Sequence, residues 1–166
     1  MVPKLKSFIE EHIDLIDQGR WQALYSYAAA EIPFQIGNLS YNLIKAGIDP
    51  LKDLNRILPE MFCDSMIYEL VIPENITRIQ RQAFKSCYFL TKITLPSSIT
   101  HIEDTAFDGC YELEDIVYQG TTTEFISNIK PTTRMFRDTK TGIIECLDAD
   151  LLVDLDNTVK VMERQA

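Results

Sequence analysis

Two histidines and four cysteines are the residues of this 166-residue chain best suited to acid–base, nucleophilic or metal chemistry, and their spacing keeps them apart. His12 falls on an apolar stripe at helical spacing, with Leu5, Phe8, Ile9, Ile13 and Ile16, and is expected to pack or cap rather than to catalyse. His101, between Ile99 and Ile102, is expected on a solvated face. Cys63, Cys87, Cys110 and Cys146 include no C-x-x-C pair and have only two imidazoles to complete a tetrahedral set, which argues against structural zinc. The acidic string Asp148, Asp150, Asp154 and Asp156 invites a calcium reading. It lacks the glycine and the closing glutamate of an EF-hand loop. Its alternation with Ala149, Leu151 and Leu155 suits a charge-protected strand edge better. No phosphate-cradling G-x-x-x-x-G-K, nucleotide G-x-G-x-x-G, nucleophile-elbow G-x-S-x-G or H-E-x-x-H occurs. The sequence therefore points to no catalytic residue, no metal ligand and no cofactor. An enzyme with an unrecognised site ranks last among the functional readings.

Composition narrows the partner class. Sixteen Lys+Arg face 25 Asp+Glu, for a net charge of −9 and a pI near 4.7, which argues against direct nucleic-acid binding. Hydrophobic residues at 46% and charged residues at 25% are ordinary for a globular chain and exclude wholesale disorder. The length allows one compact domain, or two smaller units sharing a core. Near the start, Glu10, Glu11 and Asp14 interrupt the apolar run that a secretory signal needs, and no stretch is apolar enough to span a membrane. A cytoplasmic chain with reduced thiols is the expectation.

The elements that hold these residues are set by an internal repeat. Shifting the chain by 23 residues lays Leu70–Leu90 over Ile93–Leu113. The shift pairs Pro73/Pro96, Ile76/Ile99, Ile79/Ile102, Ala83/Ala106, Phe84/Phe107, Cys87/Cys110 and Tyr88/Tyr111. The series continues as Leu70, Ile93, Ile116 and as Ile72, Leu95, Tyr118. Upstream, Met61-Phe62 takes the place of Ala83-Phe84. Such a period with recurring Leu and Ile marks a leucine-rich solenoid. In each unit a short strand turns Leu70 and Ile72 inward, Pro73 ends it, and Ile76, Ile79 and Phe84 form a second wall. Stacking makes Phe84/Phe107 and Cys87/Cys110 interior ladders, in which the cysteines are packing residues.

The pattern L-x-I-P-x-x-I-x-x-I-x-x-x-A-F-x-x-C-x-x-L resembles the BspA-like leucine-rich repeat. Ile116–Phe125 resembles that family's closing segment, with Phe125 where a Trp is usual. Gly142–Leu151 resembles its terminal strand, with Ala149 in place of a glycine. The resemblance covers about Leu58 to Leu155. It implies an α+β fold: a short right-handed solenoid of about three 23-residue coils, with a helical N-terminal cap and a small β C-terminal cap. The segments are 1–57, 58–120 and 121–166. In the first, helices are expected at Pro3–Gln18, Trp21–Glu31 and Ile36–Ala46, followed by a helical turn at Asp49-Pro50. In the last, closing strands are expected from Leu151 to Met162.

On the outward strand face, Glu69, Lys92 and Asp115 align in one row, and Val71, Thr94 and Val117 in the next. Arg81/Asp104 and Lys85/Asp108 repeat the same charge complementarity. These rows serve either as register and solubility devices or as a ligand surface. Residues 58–120 carry ten acidic and four basic groups, so a steered protein partner should be basic. The leading expectation is a non-enzymatic protein-binding module. Short members of the family resemble phage and mobile-element proteins. That resemblance implies a second reading, an acidic inhibitor occupying the basic nucleic-acid site of a host or defence protein.

Overall fold

Two parallel ladders, both stepping from one repeat to the next, organise the chain. The computed structural model describes residues 3–153 and 159–164. The outward ladder begins with β2 (Glu69–Val71), β4 (Lys92–Leu95) and β6 (Asp115–Tyr118). Glu69, Lys92 and Asp115 lie in register, as do Leu70, Ile93 and Ile116. The second ladder is made of short strands, β1 (Arg56–Ile57), β3 (Arg78–Ile79) and β5 (His101–Ile102). It begins two residues before Leu58, where the repeat was expected to start.

Between the ladders the expected interior rows are present. Phe62, Phe84 and Phe107 stack with near-parallel rings at centroid distances of 5.2 and 5.4 Å, and Phe136, from outside the repeat, continues the row at 5.7 Å. Ile72, Ile76, Ile79, Cys87 and Leu90 and their repeat partners are buried around it. Dispersion between parallel rings and removal of apolar area from water both favour this arrangement. Backbone bonds lock one repeat to the next at the same places: Phe62 N–H to Ala83 O and Phe84 N–H to Ala106 O, both 2.8 Å. The tight turn after each Phe needs a left-handed residue, and Asp64, Ser86 and Gly109 supply it.

The N-terminal third is helical, with one correction. Instead of one helix over Pro3–Gln18 there are two, α1 (Pro3–Glu11) and α2 (Ile13–Asp17), broken at His12, whose φ of −114° and ψ of 21° leave the helical region. Next come α3 (Trp21–Glu31), α4 (Ile36–Lys45) and a 3₁₀ turn, Pro50–Asp53, whose first free N–H is capped by Asp49. Helix α4 lies directly on the repeat. A Cβ on Gly37 would stand 1.8 Å from the Cys63 carbonyl oxygen, so only glycine permits this approach. Ser40, buried, donates to Met61 O at 2.5 Å, and having spent its proton accepts one from Tyr25 Oη at 2.6 Å. Asn75 reaches the other way, donating to Leu51 O and Leu54 O.

The C-terminal third, expected to be β alone, contains a helix as well, α5 (Thr122–Ile129). Beyond it, β7 (Ile143–Glu145) joins β6 in parallel, and β8 (Asp150–Val153) and β9 (Val159–Met162) follow antiparallel. Asp148 does not decorate a strand edge. It accepts from Thr122 N–H at 2.8 Å and Thr122 Oγ1 at 2.9 Å, satisfying the start of α5. Asp150 pairs with Arg164 at 2.8 Å, whereas Asp154 and Asp156 lie outside the described residues. Among the described residues no helix is long and apolar enough to cross a membrane. The fold is α+β.

Candidate functional site

The outward face of β2, β4 and β6 carries the six residues singled out from the sequence. Glu69, Lys92 and Asp115 are exposed and in register. Among the described residues, none of the three closes an ion pair within 4.0 Å. In the second row Val71 is 67% exposed, and Val117 is half-buried. Thr94 departs from expectation at 9% exposure. It sits on the central strand, in register with Val71 on one side and Val117 on the other, whereas those two lie on strands to either side. The other charge pairs also differ. Arg81 bonds Glu60 at 3.1 Å rather than Asp104, and Asp108 bonds Arg134 at 3.1 Å rather than Lys85. In both cases the partner comes from the turn or loop stacked beside the residue.

Beside this face lies a feature that reading the strands alone missed. The turn leading into each strand exposes aromatic rings. Tyr88 and Tyr111, 55% and 58% exposed, stack at 6.3 Å with an interplanar angle of 11°. Tyr68 and Phe89 meet at 5.8 Å, and Met66 is exposed alongside. The signal was available: Tyr88/Tyr111 is an identity of the repeat at a position the interior does not need. A shallow apolar groove of about 270 Å³, lined by Tyr41, Ile44, Met66 and Tyr68 among others, separates this stripe from α4.

The residues with chemical potential lie elsewhere. His12 packs between Phe8 and Tyr27, at ring distances of 4.4 and 4.9 Å, and its Nε2 meets Glu31 at 3.0 Å. Its side chain is 16% exposed, a packing residue with one polar tie. One ligand atom from each of Glu11, His12 and Glu31 lies within 4.8 Å of the others, a grouping that spacing could not show because it depends on α1 meeting α3. His101 is half-exposed and meets Glu103 at 3.2 Å. A cleft of about 310 Å³ opens between α3 and β1, lined by Gln22, Tyr25, Arg56, Glu60 and Arg81. The Arg81–Glu60 pair matches two of these charges, whereas Arg56 donates to Gln22 at 3.4 Å and forms no ion pair among the described residues.

The thiols behave as interior groups. Cys87 Sγ donates to Phe62 O at 2.9 Å and Cys110 Sγ to Phe84 O at 3.0 Å, each one repeat back. The adjacent Cys110 thiol and burial hold the Cys87 pKa far above the ordinary range. Burial and the Asp64 carboxylate push Cys63 up to about 11, and burial and Asp148 push Cys146 up to about 11. Thiols so placed stay protonated at neutral pH and make poor nucleophiles. Asp148 moves the other way, held below the usual carboxylate range by the Thr122 N–H.

Comparison with known proteins agrees with the ladders. A family model described as a BspA type leucine rich repeat region, in six copies, matches residues 46–132. This match starts before Leu58, in keeping with β1 and the Asn75 ties to the 3₁₀ turn, and it stops short of the Gly142–Leu151 strand. The crystal structure of a leucine rich cell surface protein from Faecalibacterium prausnitzii A2-165 is similar at 30% identity and a TM-score of 0.45. The similarity covers 47% of this chain and 21% of that one, so the chain spans about a fifth of that protein. No curated protein matches. With more than half its residues under the repeat model and its ladders in register, the chain belongs to the BspA type leucine rich repeat family.

Proposed function

We propose that this chain is a non-enzymatic protein-interaction module whose partner seats on the outward face of β2, β4 and β6. The observation that carries this reading is the pair of registered rows, Glu69–Lys92–Asp115, exposed on all three strands, and Val71–Thr94–Val117, exposed at Val71 and half-buried at Val117. Their side chains repeat at strand spacing, which suits an elongated partner surface. The finer architectural reading goes with it. Residues 58–120 form a short right-handed solenoid of about three 23-residue coils, 1–57 cap it with helices, and 121–166 close it with strands and α5. The covered ends fit a stack that would otherwise expose apolar rows.

Affinity capture from a bacterial lysate tests the reading. Wild type should retain a specific protein that Val71→Glu/Val117→Glu loses, while Ser97→Glu, at the exposed turn after β4, keeps it. Equal retention by all three would overturn the face as the contact. The inhibitor reading has the net acidity of residues 58–120 in its favour. It requires capture to vanish above about 0.5 M salt, where screening is strong.

A further inference from the structure

We infer that the exposed aromatic stripe Tyr68–Phe89–Tyr88–Tyr111 is where the partner anchors, and that the partner presents an arginine-bearing, partly apolar protein segment. The inference rests on the interaction-module reading above and deepens it by naming the anchor and its chemistry.

Four aromatic rings about half exposed, in two touching pairs, are costly on a surface that needs only solubility. Burial of the interior does not require them, since Phe84, Cys87 and Leu90 fill each repeat without their help. Tyrosine is also among the side chains that dominate binding energy at interfaces: large, rigid and amphipathic.

The surroundings choose the partner's sign. Exposed acids flank the rings in sequence: Glu69 follows Tyr68, and Glu112, Glu114 and Asp115 follow Tyr111. Asp64 lies on the turn before Met66. Against these acids stand Lys85 and Lys92 within the repeat, Lys45, which lines the groove with its Nζ over the Tyr41 ring, and Lys140, which is drawn to Glu112 at 3.7 Å. A ring face beside a carboxylate attracts a guanidinium twice, through its quadrupole and through the charge. Arginine fits better than lysine because its plane stacks on tyrosine while its edge bonds the acid. The apolar groove beside Tyr68 and Met66 has room for an aliphatic side chain of the same segment.

The probe is a fluorescein-labelled, N-acetylated peptide of alternating arginine and leucine, with a glutamate-for-arginine counterpart, followed by anisotropy at about 0.15 M salt. The arginine peptide should bind and the glutamate peptide should not. Tyr88→Ala/Tyr111→Ala should weaken binding at least about tenfold, as loss of an aromatic anchor does, and Tyr88→Phe/Tyr111→Phe should largely preserve it. Because these rings are exposed, the variants should keep the wild-type circular dichroism. Failure of the arginine peptide to bind, equal binding of both peptides, or indifference to the alanine pair would overturn the inference. So would self-association lost in the alanine pair, which would make a second copy the occupant. The two readings separate in the capture experiment. A partner released by Val71→Glu/Val117→Glu but held by the alanine pair leaves the strand face standing and removes the aromatic anchor. A partner released by the alanine pair alone does the reverse.

Discussion

Burial sets the chemistry of the cysteines. Burial, with Asp64 and Asp148 beside them, pushes Cys63 and Cys146 up to about 11 from an ordinary 9.0. A pKa raised by folding stabilises the native state fully below the unfolded value, and that contribution is lost as pH rises through the folded value. Denaturant midpoints should therefore hold steady up to pH 9 and fall between 9 and about 11, and Cys63→Ser/Cys146→Ser should make that slope shallower, with Cys87 and Tyr25, also raised by folding, carrying what remains. A wild-type slope that the double variant leaves unchanged would assign the loss to other groups. The sequence made the ladder cysteines legible as packing residues because they recur. The two at its ends, Cys63 and Cys146, carry no such signal, and their environment comes from Asp64 and from the Cys146–Ala149 turn.

Among the elements, the stacked Phe row carries the most weight. Phe84 has a ring on each side, Phe62 and Phe107, and is fully buried. Phe84→Ala should cost about 3–5 kcal/mol by urea denaturation, the usual range for emptying an aromatic core site. A loss below about 1 kcal/mol would contradict the stacking. Period and residue type were enough to place this row and the registered strands. They did not place Phe136 as its fourth ring, because Phe136 arrives from a loop with no copy elsewhere in the chain. Nor did they show α5: Thr121 caps it through Glu124 N–H, but the Thr-Thr-Thr run at its start reads equally well as strand. The helix break at His12 was also hidden, since the apolar stripe continues across it.

For the molecule as a whole, the decisive junction is where α4 meets the first turn of the repeat. Gly37 faces the Cys63 carbonyl with no room for a methyl group, and Ser40 with Tyr25 ties the same turn. Gly37→Ala must push the helix outward. It should lower the melting temperature and speed amide exchange in α1–α4 more than in β4 and β6. Uniform exchange across the chain would show that helices and repeat open as one unit. Spacing suggests that the helices cover the repeat, but not which atoms meet, since contact depends on a glycine whose neighbour, the Cys63 carbonyl, is distant in sequence. Non-repeating segments thus pack against the repeat at different places: α4 against the turn at Cys63, Phe136 against Phe107, and β7 beside β6. Between them β2, β4 and β6 pair in register at a constant step along the chain. An in-frame tandem duplication of residues 69–91 would add one rung and disturb neither terminus. Such a chain would lengthen by copying, and each copy would carry its own exposed Tyr and Phe, so recombination within the gene would extend the strand ladder and the row of outward rings together.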